Sequence, residues 1–237
     1  NTPAFVENIG RIKYSNGTIV KDVLYTLQAG NMRIDIKSDA ICYNFFDQKE
    51  IDVTSEMKLL PMKGRQYRPS KTRQYAIEMK LIDANYSREI IPLEEQSYYE
   101  NVYTSSLSER RRARSFTTIL IKNIYQGIDW KIYSVDGRIK YDFIVQPHAD
   151  VEKIKIKYIG AEGIHICEDG KLSISFPLGT LTEGNPFTYE LKSKAEISSQ
   201  FQLNDGTVSF LADKPSGSFV IDPEISGCTY FGGKQID

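Results

Sequence analysis

Apolar and polar residues alternate with a period of two along much of this chain, and this pattern constrains the fold more than any other feature. Met32–Lys37 and Gln74–Ile82 alternate in this way, and Arg138–Val145 does so directly after the dipeptide Asp136-Gly137. A period of two places successive side chains on opposite faces of a β-strand. Because Asp-Gly favours the turn of a hairpin, the pattern predicts short antiparallel strands joined by tight turns.

Further strand patterns extend along the whole chain. Runs rich in β-branched, aromatic and other apolar residues occur at Val23–Leu27, Ala40–Phe46, Thr117–Ile124, Asp129–Ser134, Lys153–Tyr158, Lys171–Phe176, Ile197–Leu203, Thr207–Leu211 and Phe219–Asp222. An amphipathic helix of convincing length is not recognisable in the sequence. We therefore expect an all-β fold of the β-sandwich type, either two packed β units or one large continuous sandwich, with few or no helices.

A cluster of arginines divides the chain into two predicted halves. It lies in a stretch without apolar periodicity, which is typical of an exposed connector, and contains Arg110, Arg111, Arg112 and Arg114. These arginines could also bind phosphate, nucleic acid or an acidic glycan, but a solvated loop is favoured. We predict an N-terminal β unit at 1–104 with a long irregular excursion at 48–70, a basic connector at 105–115, a C-terminal β unit at 116–227 and a short final segment at 228–237.

The charge balance and the cysteines argue against several classes of function. The formal net charge is −1, so no overall field attracts nucleic acid or an anionic membrane. No apolar run approaches the roughly 18–20 residues that a membrane-spanning helix needs. Cys42, Cys167 and Cys228 lack metal-ligand spacing; they form either one disulfide and one free thiol or, as we favour, three buried thiols. We predict no metal, no cofactor, no nucleic-acid partner and no membrane insertion.

Small sequence matches spread over most of the chain carry a family resemblance. The matches are Asn123–Asp129, Tyr133-Ser134, Gly137, Lys140–Val145, Pro147, Ala149-Asp150, Ile154, Tyr158–Ala161, Gly170–Leu172, Gly179, Pro186 and Ile221–Pro223, with a further set at Phe5–Gly10. With these residues the chain resembles a module that precedes β-propeller repeats in large bacterial (Bacteroidetes-type) surface and secreted proteins. The final segment, Cys228–Gly233, looks like the opening strand of such a repeat.

The resemblance implies a role for the chain but no reaction. The implied role is a non-enzymatic structural or adhesion-type module that presents or caps a downstream β-propeller. The implied location is extracellular or in the cell envelope (outer surface or periplasm), with a signal peptide already removed. The expected partners are the downstream propeller, a cell-surface protein or a glycan. The resemblance supplies no catalytic residues.

Aromatic residues form the candidate ligand site. Trp130 lies in a predicted strand, and Tyr98, Tyr99 and Tyr103 cluster just before the arginines. An exposed aromatic ring can stack on a sugar, so these four residues support an alternative function as a carbohydrate-binding module. Packing in the core is the competing interpretation, and the exposure of each ring discriminates between the two.

Paired acidic residues give a second, enzymatic alternative. Asp129 and Asp142 lie in consecutive predicted strands and could supply the two carboxyls of a glycoside hydrolase. We favour a structural role for both, as partners of nearby backbone, lysine or arginine groups. His165 and Cys167 would share one strand face, but a nucleophile and its base need further partners that are not apparent. We therefore predict no catalytic residue.

Overall fold

β-Strands make up nearly all of the regular structure. The computed structural model describes residues 3–13, 18–30, 32–48, 72–85, 88–103, 110–135 and 138–230. Within these ranges the chain forms seventeen strands and one 3-10 turn at Val151–Lys153, and it contains no α-helix. The all-β class predicted from the alternating pattern is confirmed.

The strands follow one another with short connections over most of the chain. In the first half they are β1 (Phe5–Glu7), β2 (Val23–Ala29), β3 (Met32–Lys37), β4 (Ala40–Gln48), β5 (Thr72–Leu81), β6 (Glu89–Tyr103), β7 (Arg110–Tyr125), β8 (Ile128–Val135) and β9 (Arg138–Val145). In the second half they are β10 (Ile156–Ile159), β11 (Gly163–Ile166), β12 (Leu172–Phe176), β13 (Gly179–Glu190), β14 (Glu196–Ile197), β15 (Ser199–Asn204), β16 (Thr207–Ala212) and β17 (Phe219–Tyr230).

All of the pairings between these strands are antiparallel, and they connect the strands into one sheet. One run of neighbours is β1, β2, β3, β4, β5 and β10. A second run is β7, β8, β9, β17, β13, β12 and β11. The long strand β7 joins the two runs. One of its edges pairs with β6, and the other edge pairs with β1 at residues 115–116 and with β8 at residues 118–125.

The sheet curves until it nearly closes on itself around the main hydrophobic core. The core draws on strands from both runs, and its largest fully buried side chains are Trp130, Tyr43, Tyr141, Phe5, Phe143 and Phe210. This architecture corrects the predicted β-sandwich: one continuous antiparallel sheet encloses the core, and the strands do not form two clearly separate layers. The cause is pairing between strands that are distant in sequence, above all β5 with β10 and β1 with β7.

Alternation of side chains explains why these segments became strands. On β8, Ile128, Trp130 and Ile132 are fully buried, whereas Lys131 and Tyr133 on the opposite face are partly exposed. The same alternation holds in β5 and in β10, where the lysines face outward as predicted. The predicted strand at 153–158 needs one correction, because a 3-10 turn at Val151–Lys153 precedes it and the strand begins at Ile156.

The arginine cluster requires a further correction. Residues 110–115 belong to β7 and pair with the end of β6, so this part of the predicted connector is a strand. Arg112 and Arg114 are exposed, while Ala113 and Ser115 between and after them are fully buried. Side chains alternate with a period of two here as well. The inward residues are small and not strongly apolar, so the alternation is not visible as a pattern of apolar residues. Residues 49–70, 105–109 and 231–237 lie outside the described ranges, and the division into two units stays a prediction.

Candidate functional site

A bulge in β6 sets the geometry of the candidate site. Glu95 and Tyr99 pair with Phe116 and Arg114 of β7, so the three residues 96–98 stand opposite the single residue Ser115. The Ser115 hydroxyl donates a hydrogen bond to the Tyr98 carbonyl oxygen and holds the bulge against β7. Bulges bend a strand and redirect its side chains. The Tyr98 side chain is accordingly 52% exposed, although its strand belongs to the sheet.

The exposed tyrosine lines an open cleft. The cleft has a volume of about 490 Å³ and is lined by Pro3, Ala4, Val6, Gln28, Gln96, Ser97, Tyr98 and Glu100; we call it the Tyr98 cleft. The Tyr98 hydroxyl donates to Oε1 of Glu100 at 3.1 Å, and Arg11 forms an ion pair with the same carboxylate. The cleft therefore combines one exposed aromatic ring, three apolar residues and several hydrogen-bonding side chains.

The other aromatic residues predicted as ligand contacts lie elsewhere or are covered. Trp130 is fully buried in β8, where its ring stacks on Phe143 with centroids 6.2 Å apart. The sugar-stacking role considered for Trp130 is therefore withdrawn, and its core-packing alternative is what the structure shows. Tyr99 is 40% exposed, but the Arg112 guanidinium lies over its ring, 4.6 Å from the centroid. The side chain of Tyr103 lies outside the described part of the chain.

Two of the neighbouring arginines, Arg112 and Arg114, lie over aromatic rings, and Arg114 also has acidic partners. Arg114 forms an ion pair with Glu7 at 2.7 Å and a longer one with Glu95 at 3.8 Å. Its guanidinium also lies 5.3 Å from the centroid of the Phe116 ring. The two carboxylates beside Arg114 would compete with a phosphate for its guanidinium, which favours the solvated interpretation for this residue.

The two acids proposed as a hydrolase pair have separate partners. Asp129 accepts the backbone N–H of Asn123 at 2.8 Å and contacts the Lys122 ammonium, so it ties β8 to the end of β7. Asp142, on the same outward face of the next strand, accepts a hydrogen bond from the Tyr133 hydroxyl at 3.1 Å. Asp129 has the backbone and lysine partners that we predicted, whereas the partner of Asp142 is a tyrosine.

A different carboxyl lies next to Asp142. The ladder between β17 and β9 ends with the pair Ile221 and Phe143. Asp222 follows Ile221 and lies close enough to Asp142 for its charge to act on that carboxyl. We call Asp142 and Asp222 the acid pair. Sequence reasoning missed this pair, because the two strands are far apart in the chain and no local pattern reports their register.

Burial raises the pKa of both members of the acid pair. Burial, assisted by the negative charge of Asp222, raises the pKa of Asp142 to about 6. Burial also raises the pKa of Asp222, although Lys140, 3.7 Å away, opposes that shift. Oδ1 of Asp222 is buried and has no hydrogen-bond donor. The acid pair is thus a strained arrangement on the sheet, and a proton or a donor group would relieve it.

Among the side chains that the structure describes, the remaining chemically active ones do not assemble into a site. His165 lies on β11, and the Cys167 thiol, which is free, forms no hydrogen bond with its imidazole. Cys42 is a buried free thiol, and burial raises its pKa to about 11. In the described ranges no group of three His, Cys, Asp or Glu residues could hold a metal ion. Nothing helical in those ranges has the length and hydrophobicity to traverse a bilayer.

The fold and the Tyr98 cleft define an all-β protein with a small polar and aromatic surface site. Residues 5–224 match a family described as a domain of unknown function, DUF7948, and the chain belongs to this family. Comparisons with curated proteins and with solved structures found no match.

Proposed function

We propose that this chain is a non-enzymatic binding module that holds an oligosaccharide in the Tyr98 cleft. The observation that carries the proposal is the bulge in β6, which exposes a tyrosine ring on the lining of a cleft of about 490 Å³. Ligand sites generally combine apolar and aromatic contact surface with a few placed polar groups. The Tyr98 ring can stack on a sugar ring, and Gln96, Ser97 and Glu100 can bind its hydroxyls.

Binding experiments with matched aromatic variants test this proposal. A glycan array first identifies a ligand, and titration calorimetry then compares the wild-type chain with Tyr98→Ala and Tyr98→Phe. We expect Tyr98→Ala to weaken binding at least tenfold, about 1.4 kcal/mol, and Tyr98→Phe to retain most of the affinity. Phe187→Ala is the matched control, because Phe187 is 51% exposed but does not line the Tyr98 cleft. Equal affinities for wild type and Tyr98→Ala contradict the proposal.

The wider role that we propose is that of a bacterial surface or secreted module that presents a downstream β-propeller. The last described strand supports this role. β17 pairs with β9 at Phe219–Ile221 and with β13 as far as Tyr230. A segment that continued β17 would therefore be attached to a strand that is hydrogen-bonded into the sheet. A fusion that continues the chain into a propeller repeat tests this role. Spin labels on β13 and on the repeat should give one narrow distance distribution, and a broad distribution contradicts rigid presentation.

The enzymatic alternative has its own test. Asp142 is only 7% exposed and is already bonded to Tyr133, which favours a structural role over contact with a substrate. We therefore expect the purified chain to leave glycans unhydrolysed. Turnover of a glycan that Asp142→Asn abolishes would overturn the non-enzymatic assignment.

A further inference from the structure

Glu183 is an acidic residue placed inside the hydrophobic core. It lies in β13 between two shifts of register, one after Thr182 and one before Pro186. Such an irregularity can turn a side chain from one face of a strand to the other. The Glu183 side chain is fully buried, with 0% exposure. A carboxyl group in this environment needs partners, because an isolated buried charge is very unfavourable.

Two tyrosines from other strands supply those partners. The Tyr141 hydroxyl of β9 donates to Oε2 of Glu183 at 2.7 Å, and the Tyr158 hydroxyl of β10 donates to Oε1 at 2.6 Å. Both tyrosines are themselves buried, and their hydroxyls also interact with each other. We call Glu183, Tyr141 and Tyr158 the core latch, because these three residues connect β13, β9 and β10 through the interior of the sheet.

No positive charge among the described residues compensates this carboxyl. The hydrogen-bond and ion-pair partners of Glu183 in the described residues include no lysine, arginine or histidine. The residues that pair with it on β12 and β17, Leu172 and Ile225, are apolar. A third tyrosine, Tyr43 of β4, also acts on the cluster, and its hydroxyl is buried without a hydrogen-bond partner. In the described part of the chain, the contacts given for Glu183 are therefore with tyrosines and apolar residues.

We propose that Glu183 keeps its proton in the folded protein and that the core latch is a proton-dependent device that holds the nearly closed sheet together. A protonated carboxyl donates one hydrogen bond and accepts others, and a tyrosine hydroxyl does the same. The three groups can therefore form a closed ring: Tyr141 keeps its bond to Oε2 of Glu183, a proton on Oε1 reverses the bond to Tyr158 so that the carboxyl donates, and the Tyr158 hydroxyl then donates to Tyr141. An ionised carboxylate only accepts, so loss of the proton to water breaks the ring and leaves a charge without a counterion.

The direction of the pH dependence follows from this arrangement. Burial raises the pKa of Glu183 above its usual range, and burial also raises the pKa values of Tyr141 and Tyr158, so the carboxyl loses its proton before the hydroxyls do. The unfolded chain ionises at a pKa of about 4.3. The contribution of the latch is thus complete below about pH 4.3 and is lost as the pH rises through the pKa of the folded state.

Infrared spectroscopy of the folded wild-type protein tests the protonation state directly. Labelling with [¹³C]glutamate shifts the carbonyl band of a protonated glutamic acid and separates it from aspartic acid bands such as that of Asp142. We expect one such shifted band at pH 7 in the wild type and none in Glu183→Gln. Absence of the band from folded wild-type protein at pH 7 overturns the proposal, and this result needs no variant.

Unfolding by urea at a series of pH values tests the device itself. Glutamine has one donor group and one acceptor, so Glu183→Gln can keep the ring without a titrating proton. Between pH 5 and the folded-state pKa, we expect the unfolding equilibrium constant of the wild type to rise up to tenfold per pH unit relative to Glu183→Gln. Glu196→Gln, an exposed glutamate on β14, is the control and should follow the wild type. Parallel pH profiles for wild type and Glu183→Gln overturn the proposal.

Discussion

Replacement of Asp142 by asparagine is expected to stabilise the folded protein at neutral pH. Burial and the charge of Asp222 raise the pKa of Asp142 to about 6 in the folded protein, whereas an aspartate in an unfolded chain has a pKa of about 3.9. At pH values between these two pKa values, the folded state therefore binds a proton that the unfolded state has lost. Its stability falls as the pH rises from about 4 to about 6, and the full loss persists above that range.

The size of the effect follows from the difference between the two pKa values. A difference of about two units corresponds to about 3 kcal/mol of unfolding free energy. An asparagine side chain at this position does not ionise, so the loss of unfolding free energy with rising pH would disappear. Its side-chain oxygen could still accept the hydrogen bond from the Tyr133 hydroxyl. Its amide can also donate to Oδ1 of Asp222, which is buried without a donor. We expect Asp142→Asn to be about 2–3 kcal/mol more stable than wild type at pH 7.5 and nearly equal to it at pH 4.

Urea unfolding measures this difference, with the fluorescence of Trp130 as the probe. Trp130 is the only tryptophan of the chain and is fully buried, so its emission reports loss of the core. Asp169→Asn is the control, because Lys171 lowers the pKa of Asp169 and that substitution should bring no gain at pH 7.5. The reasoning is refuted if Asp142→Asn is no more stable than wild type at pH 7.5, or if its advantage is equally large at pH 4.

Two further substitutions test the packing of the same region, and a third separates binding from stability. Trp130→Ala should lower the unfolding free energy by about 3–5 kcal/mol, measured by circular dichroism, because it empties a fully buried site against Phe143; a loss below about 1 kcal/mol contradicts the assigned packing. Asp129→Ala should cost about 1–3 kcal/mol in urea unfolding, because it leaves the Asn123 N–H without its acceptor; an unchanged midpoint would mean that this contact is dispensable. Tyr98→Ala should change stability by less than about 0.5 kcal/mol, which separates its effect on ligand binding from unfolding.

The accuracy of the sequence-based strand predictions depended on how visible the alternation was. Met32–Lys37 and Arg138–Val145 were predicted with the bounds that the structure shows, because each has regular alternation and adjacent turn residues. β13 was not predicted, because the irregularity around Glu183 and Pro186 interrupts its period of two. The sequence predicts a connector at the start of β7, because the inward residues there are small and the outward residues are arginines.

The candidate sites were less predictable than the strands. Tyr98 was recognised as a candidate from its aromatic neighbours, but only the bulge opposite Ser115 accounts for its exposure. Asp142 was recognised as well, but it was matched with Asp129 of the adjacent strand, whereas its neighbour in the fold is Asp222. Glu183 was not singled out, because a glutamate within a polar-looking segment carries no sign that it will be buried.

The sequence by itself determined that this chain forms antiparallel strands, because the period of side-chain alternation is a local property of consecutive residues. Only the tertiary structure decided that the strands join into one nearly closed sheet, that Asp142 meets Asp222, and that Glu183 enters the core. Those outcomes depend on hydrogen-bonded register between strands that are distant in the chain. Register decides which side chains are removed from water, and removal from water in turn sets the pKa values of the acidic residues.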